Sequence, residues 1–308
     1  MKKKPVGIIG MGLMGYAILL NLIRDGLHVV GTDIKEEACK KAREAGCEVV
    51  GNVAAVAEKC DHIITSLSTE KAYFSVVDEL KNSCRPGSIV IETSTLSIED
   101  KEKGRDILAE KDIIMLDSPI SGNSSKAVTG KTVISTPSGD HDAIEKIGYI
   151  LSGFSKEWFD VGAFGNGSKL KFVANHQNTI TAAAVAEGLF LASQLGLDLH
   201  QTTEIVRRGA GTSAMLDVHG HQIADRGWEV QTSRLMKTFK DQRITCKLLG
   251  ELQCPAPMYK AAVVLHKRTA ELGHEDHDRS SMFEVLERMV NEGIEPRGID
   301  YHVDKDTI

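Results

Sequence analysis

Lys171, Asn175 and Asn178 stand four and three residues apart in a stretch otherwise rich in Ala, Leu, Val and Phe. On a helix that spacing puts all three side chains on one face. An amine at the head of such a stripe suits proton transfer. Oxidising an alcohol by hydride transfer requires its hydroxyl proton to leave, and the reverse reaction requires one to be supplied. A lysine partly withdrawn from water titrates below its free value of about 10.4, toward the range useful for both directions. Asn175, one turn along, can hydrogen-bond the same hydroxyl or a carboxylate oxygen. The same stripe would also arise if Lys171 snorkelled to solvent and the asparagines bridged backbone groups.

The second chemically suggestive run is Gly10-Met11-Gly12-Leu13-Met14-Gly15. A GxGxxG run carries little alone, because glycine also serves ordinary turns. Here an apolar strand pattern, Val6 to Ile9, precedes it, and a helical pattern opens inside it at Leu13 and Met14. Asp33 closes the next strand. In that context Gly10 makes the tight turn and Gly12 lets the backbone approach a pyrophosphate. Gly15 lets the helix pack close to the strand. The diphosphate then meets free N–H groups and the positive end of a helix dipole. Asp33 can accept hydrogen bonds from both ribose hydroxyls of NAD and would repel the 2′-phosphate of NADP, with Lys35 nearby as a surface charge. The expected cofactor is therefore NAD, with NADP less favoured.

The elements that must position these groups follow from the rhythm of the chain. Val6–Ile9, Leu27–Thr32, His62–Ser66, Ser88–Glu92, Ile113–Leu116 and Thr132–Ser135 read as strands. Helical patterns such as Leu13–Arg24 and Glu36–Ala45 alternate with them. Alternation of this kind implies right-handed βαβ units and a parallel sheet covered on both faces. After about Gly165 the rhythm changes. Lys169 to Gln194 reads as one long helix with Ser168 as its N-cap, and strand-like alternation is absent beyond it. The expected class is α/β: a Rossmann-type doubly wound domain over 1–165, then an all-α substrate and oligomerisation domain over 166–308, linked by that helix. Lys171 then falls where one domain hands over to the other, a common place for substrates to bind. Its position favours the site reading. Ser281 to Glu284 fits a capping box opening a last helix, and the tail after Pro296 is polar.

Composition narrows the class. At 308 residues, with 42% apolar and 26% charged side chains, the chain is long enough for two cores. Its formal charge of −6 argues against nucleic-acid or anionic-membrane partners. Cys39, Cys47, Cys60, Cys84, Cys246 and Cys254 form no CxxC pair and read as buried thiols of a reducing compartment. The front of the chain is too glycine-rich for an export signal, and no run of about 18 apolar residues appears, so a cytoplasmic protein is expected. His274-Glu275-Asp276-His277-Asp278 offers ligand types without tetrahedral spacing, and no metal is expected. Gly209 to Ser213 reads as a helix-ending turn, and Trp228 and Phe239 as core.

Taken together, the IGMGLMG start, Asp117-Ser118-Pro119-Ile120-Ser121-Gly122, the Gly-x-Gly-x-x-x-Lys-x-x-x-Asn run over 165–175 and Lys240-Asp241 resemble the β-hydroxyacid dehydrogenases. That family includes 3-hydroxyisobutyrate dehydrogenase, tartronate semialdehyde reductase and the glyoxylate/succinic semialdehyde reductases. The motifs occur in the family's order over nearly the whole chain. The resemblance implies that Lys171 is the catalytic lysine and Asn175 the substrate-binding asparagine. It implies that Ser121 and Gly122 hold the substrate carboxylate, that Thr95 lies beside the nicotinamide, and that Lys240 closes over cofactor and substrate with Asp241 beside it. Leu67 is expected to touch the cofactor near the adenine side, although Ser66-Leu67-Ser68 there replaces a more apolar family pattern. The implied reaction moves a hydride between NAD(H) and a small 3-hydroxy acid or its semialdehyde, in a homodimer or homotetramer.

There are departures. Where the family has a second glycine after the serine, Asn123 follows Gly122, so Asn123 joins the expected substrate contacts and Lys126 reads as a surface lysine. Two rivals share the architecture: an imine reductase, and a nucleotide-binding sensor without catalysis. Neither needs Lys171, Asn175 and Lys240 together.

Overall fold

In a computed structural model, residues 4–122, 124–229 and 235–292 are described. The chain divides into two compact units, Met1–Ala174 and Asn175–Ile308, so the division falls within the long helix.

The first unit alternates strands and helices: β1 (Val6–Ile9), α1 (Leu13–Arg24), β2 (Val29–Thr32), α2 (Glu36–Glu44), β3 (Glu48–Val49), α3 (Val53–Lys59), β4 (His62–Thr65), α4 (Glu70–Ser83), β5 (Ile89–Glu92), α5 (Ile98–Ala109) and β6 (Ile114–Asp117). The four-residue strands are buried along most of their length, as a parallel sheet covered on both faces requires. Helix starts are written locally. Asn52, Thr69 and Ser97 each accept a hydrogen bond from the amide three residues on, opening α3, α4 and α5. The six strands are parallel in the order β3-β2-β1-β4-β5-β6, the doubly wound arrangement.

Register decides what this sheet can present. Ile9 pairs with Thr32 and Thr65, Thr65 with Glu92, and Glu92 with Asp117. The carboxyl ends of β2, β1, β4, β5 and β6 therefore stand in one row, and every loop that leaves them opens on one edge. The order reverses between β1 and β4, the switch point where open α/β sheets bind ligands. One apolar cluster joins Ile8, Ile18, Leu22, Ile147 and Leu151 on one face. A second joins Val56, Ile63, Tyr73, Leu80 and Leu108 on the other.

Thr132–Ser135 departs from expectation. Its strand, Ile134–Ser135, does not extend the main sheet. After β7 (Ile120–Ser121) and α6 (Ser124–Ala127), that strand, β8, runs antiparallel to β7 and parallel to β9 (Glu157–Trp158), which follows α7 (His141–Phe154). Strands of two residues leave almost no periodic signal, which is why this small sheet is hard to read in sequence.

Helix α8 (Asn166–Gln194) leads from this unit into the second. There follow α9 (Leu199–Val206), α10 (Ala214–Ala224), α11 (Leu235–Glu251), α12 (Pro257–Thr269), a π turn (Ala270–His274), a 3-10 turn (Arg279–Ser281) and α13 (Met282–Asn291). No strand occurs among the described residues of this unit. Its core is assembled from Ala182, Ala183, Ala186, Ala262 and Met282 and from Val185, Leu189, Leu216, Ile223 and Phe283. The alanines of α8 let neighbouring helices approach closely. No helix among the described residues is long and apolar enough to cross a membrane.

Three local expectations are corrected. Ser281 does not cap α13, because its hydroxyl turns back to the carbonyl of Asp278 at 2.7 Å. Gly209 to Ser213 begins a helix rather than only ending one: Ser213 accepts from the amide of Leu216 at 3.1 Å and caps α10. Among the cysteines, Cys39, Cys47 and Cys60 are buried, and burial pushes the thiols of Cys47 and Cys60 up to about 12. Cys84 is only half-buried, and Cys246 and Cys254 are exposed on the helical unit. The polar tail after Pro296 lies outside the described residues.

Candidate functional site

The glycine run sits at the switch point, between β1 and α1. Gly10 has φ +87°, and a Cβ there would stand 2.3 Å from the carbonyl oxygen of Ser66. A Cβ on Gly15 would stand 2.0 Å from the carbonyl oxygen of Gly10. Neither position admits a side chain, since the helix and the loop after β4 both close on the turn. Gly12 is different: nothing lies within 4 Å of where its Cβ would be. That open volume lies directly before the first turn of α1, whose N-cap residue, Gly12, makes no side-chain cap bond. Amides at a helix start without a side-chain cap, and with room in front of them, can receive an anion. Leu13 is 61% exposed beside it, and Met14 is half-buried.

Asp33 closes the adjoining edge. Its Oδ2 accepts from the amide of Met11 at 2.6 Å and its Oδ1 from the amide of Lys35 at 2.8 Å. The carboxylate is thus held by backbone at the end of β2, with acceptor capacity remaining on both oxygens. Ile34, 98% exposed, follows it. These residues fit a dinucleotide: an open helix start for the diphosphate, a fixed carboxylate for a ribose, and an apolar side chain at the rim.

The loops after β4 and β5 are tied together. The amide of Leu67 donates to Ser94 Oγ at 2.7 Å, and the amide of Ser94 donates to Glu92 Oε1 at 2.6 Å. The hydroxyl of Thr65 donates to Glu92 Oε2, and that of Thr93 to the carbonyl of Thr65 at 2.7 Å. Glu92 is wholly buried. Half-buried Thr95 belongs to the loop held in this way, and Leu67 faces the glycine turn. Glu92 and Ser94 escape a sequence reading, although a carboxylate ending the otherwise apolar Ile89-Val90-Ile91 is a signal that could have found them.

Ser121 ends β7 half-buried, and Gly122 follows, exposed, with φ +151°. Asn123 lies outside the described residues. Lys126 is exposed. The segment leading to Ser121 packs on the start of α8: a Cβ on Gly167 would stand 2.8 Å from Pro119 Cδ and 2.3 Å from the carbonyl of Thr136.

Ser168 is not the N-cap expected. It lies inside the first turn of α8, buried, with its hydroxyl donating to Asp117 Oδ1 at 2.8 Å. Lys171 follows one turn on, half-buried, in the same unit as the glycine turn. Asn175, four residues later on α8, falls in the helical unit. Its Nδ2 donates to Asp241 Oδ2 at 3.1 Å, and half-buried Lys240 precedes that aspartate on α11. Burial lowers the Arg279 guanidinium below its ordinary value, opposed by the charges of Asp278 and Asp241, and Arg279 Nε donates to Thr238 Oγ1 at 3.0 Å. The structure thus gathers Gly10, Gly12, Gly15, Asp33 and Leu67 at one sheet edge, and Asn175 with Asp241 in the helical unit. His274 and His277 meet each other, Nδ1 to Nδ1 at 2.9 Å, and no group of three or more metal-binding side chains is found among the described residues.

Residues 5–162 match the family model for the NAD binding domain of 6-phosphogluconate dehydrogenase, and residues 165–286 match the model for the NAD-binding of NADP-dependent 3-hydroxyisobutyrate dehydrogenase. The chain is 28% identical over 287 residues to L-threonate dehydrogenase of Escherichia coli (strain K12), covering 91% of this chain and 94% of that one. It is 29% identical over 285 residues to glyoxylate/succinic semialdehyde reductase 1 of Arabidopsis thaliana, covering 91% and 98%. Among solved structures, 3-hydroxyisobutyrate dehydrogenase from Salmonella typhimurium superposes with a TM-score of 0.83 at 24% identity, over 92% of this chain and 100% of that one, a likeness of fold.

Proposed function

The chain belongs to the β-hydroxyacid dehydrogenase family, and on that premise we propose that it transfers a hydride between NAD(H) and a small 3-hydroxy acid or its semialdehyde, with Lys171 as general acid and base. The observation that carries this reading is the open, uncapped start of α1 beside a backbone-held Asp33, with Lys171 in the same compact unit. The nicotinamide supplies the hydride chemistry when bound.

What the chain contributes is binding, orientation and a proton. The α1 amides and the space before Gly12 receive the diphosphate. Asp33 receives ribose hydroxyls and disfavours a 2′-phosphate, so NAD is preferred to NADP. Leu67 and Thr95 line the cofactor from the tied loops. Ser121 and the amide of Gly122 take the substrate carboxylate, with Asn123 next in sequence, and Lys240 takes the role that the family resemblance implies, contact with cofactor and substrate. Asn175 orients the reacting oxygen while the Lys171 amine accepts its proton on oxidation or returns one on reduction. Relatives named for hydroxy acids and for semialdehydes support this substrate class. We assign the working form to a homodimer or homotetramer on the family resemblance.

The test is a screen of NAD reduction across small 3-hydroxy acids at alkaline pH, beside Lys171→Ala. The variant is expected to bind NADH like the wild type and to lose turnover by several orders of magnitude. Wild-type turnover in the variant would remove Lys171 from the reaction.

A further inference from the structure

A buried ion pair lies under the start of the helix that carries Lys171. Lys101, on α5, and Asp117, at the end of β6, are both wholly inaccessible, with Lys101 Nζ 2.7 Å from Asp117 Oδ1. The same Oδ1 accepts the Ser168 hydroxyl at 2.8 Å, and Oδ2 accepts the Ser168 amide at 2.8 Å. The neighbouring Gly167 amide donates to Ser138 Oγ at 3.1 Å, and Ser138 in turn bonds the backbone of Asp117 through its own amide at 2.8 Å. A helix begins with amides that have no partner inside it. Here two of them, on Gly167 and Ser168, are satisfied by residues far away in sequence, and the charge at the helix start is a carboxylate, the sign its dipole favours. Removing a buried carboxylate from water is costly unless a cation and several donors surround it, and Lys101 is that cation. Ser168 stands three residues before Lys171, on the same side of the helix.

We propose that the Lys101–Asp117 pair is a positioning device for Lys171: Asp117 caps α8 through Ser168, and Lys101 holds Asp117 in place, so that the pair sets where α8 delivers the Lys171 amine. The inference rests on the reading of Lys171 as the acid and base. Lys101, Asp117 and Ser168 act through the helix and touch neither cofactor nor substrate in this account. Misplacing a reacting group by 1 Å costs about 100-fold in rate, so a small shift of the first turn is enough to be read in turnover.

The experiment compares Lys101→Met, Ser168→Ala and the uncharged double variant Lys101→Met/Asp117→Asn with the wild type and with Lys171→Ala. NADH affinity is read by fluorescence titration, kcat and KM across pH, and the amine reactivity of Lys171 by labelling and peptide mass spectrometry without cofactor. Ser168→Ala is expected to fold, to bind NADH within about 2-fold of wild type, and to lose about 10- to 100-fold in kcat with little change in KM. The Lys171 labelling rate and the pH profile of kcat are expected to shift with it. Lys101→Met is expected to show the same pattern at lower thermal stability, and the double variant to recover stability without recovering kcat. Folded Ser168→Ala or Lys101→Met with wild-type kcat, pH profile and Lys171 labelling would overturn the proposal, and Ser168→Ala decides it if Lys101→Met does not fold. Wild-type turnover in Lys171→Ala would instead overturn the functional reading.

Discussion

Asp33 holds the amide of Met11 at 2.6 Å, joining the end of β2 to the turn that follows β1. One carboxylate thereby does two things. It fixes the second residue of the glycine run, and in the proposed function it receives the ribose of the dinucleotide. Its second oxygen is fixed in turn by the Lys35 amide at 2.8 Å, so the group is held before any ligand arrives. Pre-organisation of this kind lowers the ordering cost of binding.

Asp33→Ala is therefore expected to weaken NADH binding by about 10- to 100-fold, as loss of charge-assisted hydrogen bonds of roughly 1.5–3 kcal/mol would. NADPH binding should fall less or improve, because the repulsion of its 2′-phosphate is removed. Fluorescence titration with both nucleotides reads the ratio. An unchanged NADH-to-NADPH preference would show that Asp33 does not select the cofactor.

Gly12 and Gly15 are predicted to fail in opposite ways. The Cβ of Gly15→Ala would collide with the Gly10 carbonyl oxygen, so α1 must move and thermal stability should drop. The Cβ of Gly12→Ala meets only open space, so that variant should unfold at the wild-type temperature and still lose NADH affinity by 10-fold or more, about 1.4 kcal/mol. Melting curves and NADH titrations, run in parallel, separate the two. Wild-type NADH affinity in Gly12→Ala would mean that the space before α1 is not a ligand's.

The helical unit carries a pH dependence of its own. His266 is wholly buried and accepts from Gln242 Nε2 at its Nδ1 at 2.7 Å. Burial, helped by the charges of Arg279 and His219, lowers its pKa from 6.5 to about 3. A histidine kept neutral in the fold but free to protonate when unfolded adds nothing above its unfolded value. Stability is lost as pH falls below about 6.5, by about 1.4 kcal/mol per unit, until about 3. His266→Gln should therefore lose about 2 kcal/mol less than wild type between pH 7.5 and pH 5 in urea unfolding. Parallel acid slopes in the two proteins would refute this.

Much of the nucleotide-binding half is legible in the residues. Gly10, Gly12 and Gly15, the apolar Val6–Ile9 and Asp33 lie within 28 residues of one another, and their meaning depends on local turns, strand length and helix starts. Even there, the pairing of Ile134–Ser135 with β7 was beyond reach, because two-residue strands are too short to show a period. The stripe Lys171, Asn175 and Asn178 is legible for the same reason as the glycine run, since helical spacing is a property of neighbours.

What sequence could not supply is any partner brought close by folding. Lys101 meets Asp117 across 16 residues and Asp117 meets Ser168 across 51, so nothing in the local pattern of Ser168 says that its hydroxyl donates to a buried carboxylate rather than capping its own helix. Asn175 finds Asp241 across 66 residues by the same route. Periodicity and turn chemistry act over a few residues, and chain folding alone determines which distant side chains share a buried space and must satisfy one another there.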